Sequence, residues 1–481
     1  MTIPRLLIAG LRGSSGKTLI TLGLLAAWTR KGQQIAPFKK GPDYIDSSWL
    51  SRAAGRPCRN LDLFLMSPQE IVRSVGGTVR RDDLVVIEGN RGLYDGLDAQ
   101  GTCSTAELAK VLRSPVVLVV DCTKAIRTVA AIVLGCQRLD PQVPLRGVIL
   151  NQLAGRRHES VVREAIAQVC GLPVLGAVPR LAELPLPERH LGLVPPPEHD
   201  RVTQALDQAA GIATKYLDME ALESLARQAA PLESAGCGST LESGLRPQPT
   251  RIGVFRDAAF QFYYPENLEA LTREGAALVE ISPLRDAALP DVDGLYIGGG
   301  FPETLAAGLA ANQPFLQSLR AAVDQGLPVY AECGGAVFLG ETLRVQDQQY
   351  PLAAVLPLAF VLGNKPQGHG YVELETVASN PFFSVATSLR GHEFHYTYIQ
   401  PSAKELRFVF RVRRGYGMDG QRDGICHRNV LASYTHLHAL ASTSWAPAVV
   451  RAARRFRSSM AMTAEPGGQT WEPLAADGYL T

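Results

Sequence analysis

Three groups of residues have types and spacings suited to chemistry. The first is Gly10-Leu-Arg-Gly13-Ser14-Ser15-Gly16-Lys17-Thr18, between an apolar run and a helical pattern. The strict phosphate loop has four residues between its first glycine and Gly-Lys; counted from Gly10 there are five here. The physics survives that change. Glycines let backbone N–H groups wrap phosphate oxygens, and the positive end of the next helix points at them. Lys17 would reach the terminal phosphates, and the Thr18 hydroxyl would ligate Mg²⁺.

The second group is acidic. Asp43 and Asp46 lie in Gly41-Pro-Asp43-Tyr-Ile-Asp46, Glu88 closes the apolar run Leu84–Ile87, and Asp95 ends Gly92-Leu-Tyr-Asp95. A carboxylate at the C-terminal end of a buried parallel strand sits at the crevice where such sheets bind ligands. Loop and carboxylates together predict a Mg·ATP site.

The third group centres on Cys333. Pro328-Val-Tyr-Ala-Glu-Cys333-Gly334-Gly335 reads as a strand running into a sharp turn and then a helix. Such an elbow exposes a nucleophile above the sheet, and the helix N-terminus is expected to lower the thiol pKa. Gly298-Gly299-Gly300 follows another strand, and its bare N–H groups suit an oxyanion hole. A thiolate needs a base; His436 and His438 in Thr-His436-Leu-His438 come first, His392 and His395 next. A thiol that cleaves an amide beside an ATP site predicts a glutamine-dependent amidotransferase. ATP would activate a carboxylate as an acyl phosphate, and ammonia from glutamine would displace the phosphate.

These residues need elements to hold them. Leu6–Ala9, Leu84–Ile87, Val116–Val120 and Val148–Leu150 read as buried strands alternating with helices over Lys17–Arg30, Ser104–Leu112, Ile126–Leu139 and Glu159–Cys170. That alternation predicts an α/β fold, a parallel sheet with helices on both faces. A second α/β pattern begins at Arg251 and becomes strand-rich beyond Gly340. The expected division is 1–235, a Pro/Gly/Ser linker over 236–250, a second domain over 251–445, and a tail over 446–481.

Composition narrows the function. Lys and Arg number 48 against 46 Asp and Glu, a net charge of +2. This speaks against a broad nucleic-acid-binding surface. Eight cysteines without a CxxC pair fit a reducing, cytoplasmic setting rather than a disulfide framework. The start has no signal-peptide layout, and no apolar stretch reaches a membrane-span length, so no membrane partner is expected.

The chain resembles the cobyrinate a,c-diamide synthase family from Leu6 to about Leu440. The resemblance rests on the loop above, Phe38-Lys39, Gly41 to Asp46, Asn60-Leu-Asp62, Glu88-Gly, Gly92 to Asp95, and Gly147-Val-Ile-Leu-Asn151. It continues in Pro187 to Leu193, Asp257 to Pro265, Gly298 to Glu303, Ala331 to Gly335, Arg390-Gly-His-Glu-Phe-His395 and Tyr434 to His438. It implies an N-terminal P-loop NTPase-like ATP domain similar to dethiobiotin synthetase, then a C-terminal class I glutamine amidotransferase domain. The implied reaction amidates the a and c acetates of a polycarboxylate tetrapyrrole with ATP and glutamine, and a homodimer is the implied assembly. Lys17, Thr18, Asp43, Glu88 and Asp95 match the family's ATP, Mg²⁺ or carboxylate-activation positions. Asp46 is placed with Asp95 in activation, Lys39 and Asn151 at the nucleotide, Cys333 as nucleophile and His436 as its base.

Two departures stand out. Amidotransferases of this class carry His-x-Glu, whereas His438 stands in the third position here, so the orienter of His436 is left open. The corrinoid branch reads Glu-Gly-Val-Met-Gly-Leu-Phe-Asp-Gly; this chain reads Glu88-Gly-Asn90-Arg91-Gly-Leu-Tyr94-Asp95-Gly. The Asn-Arg form resembles a branch proposed to amidate siroheme, and Arg91 suits extra carboxylates on such a macrocycle.

Overall fold

The computed structural model describes residues 3–80, 82–181, 188–189, 192–199, 201–232, 249–400 and 405–464. The apolar runs of the first half form a parallel sheet of seven strands. They are β1 (Arg5–Gly10), β2 (Ile35–Lys40), β3 (Arg59–Leu61), β4 (Leu84–Glu88), β5 (Val116–Asp121), β6 (Leu145–Leu153) and β7 (Val174–Pro179). Their order is β3-β2-β4-β1-β5-β6-β7. Successive side chains alternate faces, so Leu7 and Ala9 join one core cluster while Leu6 and Ile8 join another. Both faces are covered, which is why the strands read as unbroken apolar runs. β1 lies between β4 and β5. Its C-terminal end opens through the glycine loop into α1 (Lys17–Arg30), and β2 leads into α2 (Tyr44–Ala54).

The second half builds a mixed sheet of ten strands. Ala276–Ile281, Thr250–Phe255, Gly294–Ile297, Val329–Glu332 and Val430–Ser433 are parallel neighbours. Antiparallel strands then carry the sheet on to Ser388–His395 and, at its edge, His436–Leu437. The chain therefore leaves the parallel part at Ser433 and rejoins the far edge at His436. This return brings Leu437 back to the end of Val329–Glu332, where its N–H donates to Glu332 Oε1 at 3.0 Å.

The two halves touch. Arg59 on β3 pairs with Glu266 at 3.6 Å and with Glu269, and the Tyr371 hydroxyl donates to Asp62. The stretch expected as a tail opens instead with a helix, Trp445–Ala464, whose Trp445, Ala446, Val449, Val450 and Ala453 are buried in the second core. Its arginines broke up the apolar stripe in the sequence. Residues 465–481, and the expected linker except Pro249 and Thr250, lie outside the described residues; Thr250 already belongs to a strand. Among the described residues no helix is long and apolar enough to cross a membrane.

Candidate active site

The Gly10–Thr18 loop joins the end of β1 to the start of α1. Gly16 takes φ 91°, a left-handed conformation that favours glycine, and turns the chain into α1. The Asn151 amide donates to the Ser15 carbonyl at 3.0 Å. Its nitrogen thus braces the loop. Ser15 is also spent within the loop, bonding Arg12, whereas Gly13 and Ser14 are exposed. The Lys17 ammonium donates to the Arg12 and Arg91 carbonyls at 3.1 and 2.9 Å, and burial lowers its pKa.

The acidic group converges on this loop. Thr18 Oγ1 donates to Glu88 Oε1 at 2.9 Å. Lys39 Nζ bridges that oxygen and Asp46 Oδ2, at 2.6 Å each. Lys39, expected at the nucleotide, is a buried link between two carboxylates. Burial opposes its charge, but Asp46 and Glu88 outweigh burial and hold it protonated. Glu88 is fully buried, which raises its pKa, and its Oε2 has no partner among the described residues. An unmatched carboxylate oxygen beside a threonine hydroxyl is the hard-oxygen donor set that suits Mg²⁺. Asp43, the third expected ligand, caps α2 by accepting the Asp46 N–H at 2.9 Å. Burial, then the Asp46 charge, push its carboxyl up to about 7. Asp95 Oδ2 accepts the Gly92 N–H at 2.8 Å.

The thiol side has the elbow geometry. Cys333 takes φ 47° and ψ −107° between the strand Val329–Glu332 and a helix of only five residues, Gly334–Phe338. A non-glycine residue in that region stores strain and marks a functional turn. Its expected acidification is not found. Burial, with Glu303 adding to it, pushes the thiol up and outweighs the Gly334 N–H. Its sulfur lies 3.9 Å from the Phe394 carbonyl. Of the three glycines, Gly298 cannot serve as an oxyanion donor, because its N–H is given to Tyr263 Oη at 2.8 Å. Gly300 lies against Gly334, where an added Cβ would sit 3.0 Å from the Gly300 nitrogen. Gly299 lies against His436: a Cβ there would be 2.6 Å from the ring Cε1.

His436 is nearly fully buried and stacks on His392, with centroids 4.9 Å apart. Its Nδ1 stands 3.6 Å from Glu332 Oε2. His438 has other partners. Its Nδ1 accepts the Leu440 N–H at 3.2 Å, and its Nε2 lies 3.7 Å from Glu266, the residue that also pairs with Arg59. His395 stacks on Tyr434 and bonds the Thr397 carbonyl.

A cavity of about 670 Å³ reaches Cys333 and His436 from the second half and Asp43 and Asp95 from the first. Lys40, Arg91 and Asp95 line it from the first half; Cys333, His436 and Arg414 line it from the second. Such a volume lies within the range of small-molecule sites. Tyr44, the first residue of α2, forms part of its wall. The Tyr44 ring stacks on Phe262 at 5.0 Å and lies 5.3 Å from His436. Sequence reasoning gave no role to Tyr44, Glu332, Arg414 or Glu266. Glu332 had a signal: it is the one charge in a buried apolar strand, directly before the nucleophile.

Comparison with known proteins agrees with this architecture. Residues 6–194 match the CobQ/CobB/MinD/ParA nucleotide binding domain, and residues 251–444 match the CobB/CobQ-like glutamine amidotransferase domain. A cobyrinate a,c-diamide synthase from Magnetococcus marinus is 43% identical over 93% of this chain and 97% of its own. One from Archaeoglobus fulgidus is 40% identical over 95% and 98%, and one from Methanosarcina acetivorans 38% over 96% and 97%. A solved glutamine amidotransferase aligns with 43% of this chain and 98% of its own, at 21% identity and a TM-score of 0.32. The chain belongs to the cobyrinate a,c-diamide synthase family and is a glutamine-hydrolysing amidotransferase ligase.

Proposed function

We propose that this enzyme amidates the a and c acetate side chains of a tetrapyrrole, using ATP and glutamine. The observation that supports this best is the shared cavity, with carboxylate-activating groups on one wall and the thiol on the other. A substrate carboxylate attacks the γ-phosphorus of ATP, ADP leaves, and an acyl phosphate forms. Lys17 and the loop N–H groups neutralise the phosphate charge. Thr18 and Glu88 would hold Mg²⁺, which screens the phosphates when bound. Across the cavity the Cys333 sulfur attacks the glutamine side-chain carbonyl. His436 takes the thiol proton and returns it to the departing ammonia, and water cleaves the thioester to release glutamate. The backbone N–H groups of Gly300 and Gly334 are the oxyanion donors in this scheme. Ammonia then attacks the acyl carbon and phosphate leaves.

The macrocycle is a corrinoid by likeness to the named relatives. A second reading, siroheme or sirohydrochlorin, is favoured by Asn90 and Arg91. These depart from the corrinoid pattern, and both line the cavity. The seven described cysteines are free, which suits a cytoplasmic enzyme. A dimer of identical chains completes the proposal and is checked by light scattering. The deciding experiment supplies cobyrinate, hydrogenobyrinate, sirohydrochlorin and siroheme with Mg·ATP and glutamine, and reads each product mass for one or two amidations. Amidation of a corrinoid alone supports the first reading and amidation of siroheme the second. Failure on all of them overturns the tetrapyrrole assignment.

A further inference from the structure

We infer that Glu332 is the positioning residue of His436, filling the role left vacant where His438 replaces the usual glutamate. This rests on the reading of Cys333 and His436 as the glutaminase pair. His438 itself is committed elsewhere, between the Leu440 N–H and Glu266. Glu332 is fully buried at the end of its strand. Both of its oxygens act as acceptors: Oε1 from the Leu437 N–H at 3.0 Å and Oε2 from the Tyr296 hydroxyl at 3.1 Å. The first bond fixes the backbone directly after His436. Asn267 fixes the residues beyond, donating to the Leu437 carbonyl at 2.8 Å and accepting the Ala439 N–H at 2.7 Å. The carboxylate is thus held rigidly against the strand that carries the imidazole.

The imidazole supplies the complementary half. His436 Nδ1 is buried with no hydrogen-bond partner among the described residues, and Glu332 Oε2 stands 3.6 Å from it. An unmatched buried ring nitrogen beside a buried carboxylate oxygen is a pair one short movement from a hydrogen bond. Catalytic hydrogen bonds are commonly long in free enzymes and tighten in the Michaelis complex. The ring's Cε1 and Nε2 face Gly299, the neighbour of Gly300. An acceptor at Nδ1 selects the tautomer with a proton there, leaving Nε2 free to take the thiol proton. It also stabilises the imidazolium that forms when it does. The chain order is unusual: the orienter immediately precedes the nucleophile, and so reaches the ring from the nucleophile's own strand.

Glu332→Gln tests this, because it keeps the shape and presents an NH₂ group where an acceptor is needed. The glutaminase kcat is expected to fall on the order of 10²-fold or more, with KM for glutamine unchanged within about 3-fold. Amidation driven by added ammonia should stay at the parent rate, and Glu332→Asp should recover part of the lost kcat. Glutaminase kcat within about 3-fold of the parent overturns the inference. So does an equal fall in ammonia-driven amidation, which marks a merely structural residue. His436→Gln is measured alongside. If it too retains glutaminase activity, the Cys–His reading fails; if it alone loses activity, only the role of Glu332 fails.

Discussion

The Gly10–Thr18 turn and the Ala331–Gly335 turn are built alike and put to opposite uses. Each follows a buried parallel strand and opens a helix at the carboxyl edge of its sheet. The first spends six residues between strand and helix and feeds a helix of 14 residues. Its functional surface is backbone, a row of N–H groups ending in a helix dipole. The second has one residue, Cys333, between its strand and a helix of five. There is no room for a cradle, so the functional group is the side chain, forced outward by strain. Turn length decides whether such a junction offers its backbone or its side chain.

The sharpest test of this contrast removes one group at each centre: Glu88 beside the first turn and Cys333 within the second. Glu88→Gln, which strips the charge beside Thr18, should abolish amidation from either nitrogen source. Cys333→Ser should cut glutamine-driven amidation by roughly 10³-fold or more and leave ammonia-driven amidation unchanged. Comparable loss of both activities in the Cys333 variant would break the division of labour. Next come the glycines. Gly299→Ala drives a Cβ to 2.6 Å from His436, and glutaminase should fall on the order of 10²-fold. Gly13 is exposed, and a Cβ added there would meet nothing within 4 Å, so alanine would not disturb the fold. Gly13→Ala should raise KM for ATP about 10-fold with glutaminase untouched.

Protonation separates the two turns further. Asp43 sits at about 7, so it is neutral below that pH and anionic above it. The kcat/KM for ATP should therefore fall as pH drops through 7, and excess Mg²⁺, which favours the anion, should move the midpoint down. The thiol, pushed up by burial, should react slowly with iodoacetamide at pH 7 and show no plateau up to pH 9. A plateau below neutrality would mean a preformed thiolate. The smallest effect belongs to the contact between the halves. Tyr371→Phe removes the bond to Asp62 and should cost about 1 kcal/mol of stability, read as a lower Tm.

Much of the sheet framework could be read from sequence because strands buried on both faces leave continuous apolar runs. β2 escaped, since it holds Pro37 and ends in Lys39-Lys40. Two consecutive lysines do not read as the end of a buried strand until Asp46 and Glu88 are placed beside Lys39. The phosphate loop and Cys333 were legible because their chemistry is local, within one turn of chain. Glu332 was not, because its partner lies 104 residues onward at a strand edge created only by the return of the sheet. His438 looked like a defect for the same reason: its partner, Glu266, belongs to a different element. The burial that raises the thiol pKa is likewise a property of the assembled core.

The cavity between the centres has a consequence in concentration. A single molecule confined to about 670 Å³ stands at roughly 2.5 M. In the proposed scheme, ammonia set free at Cys333 would meet the activated carboxylate at no more than that local strength.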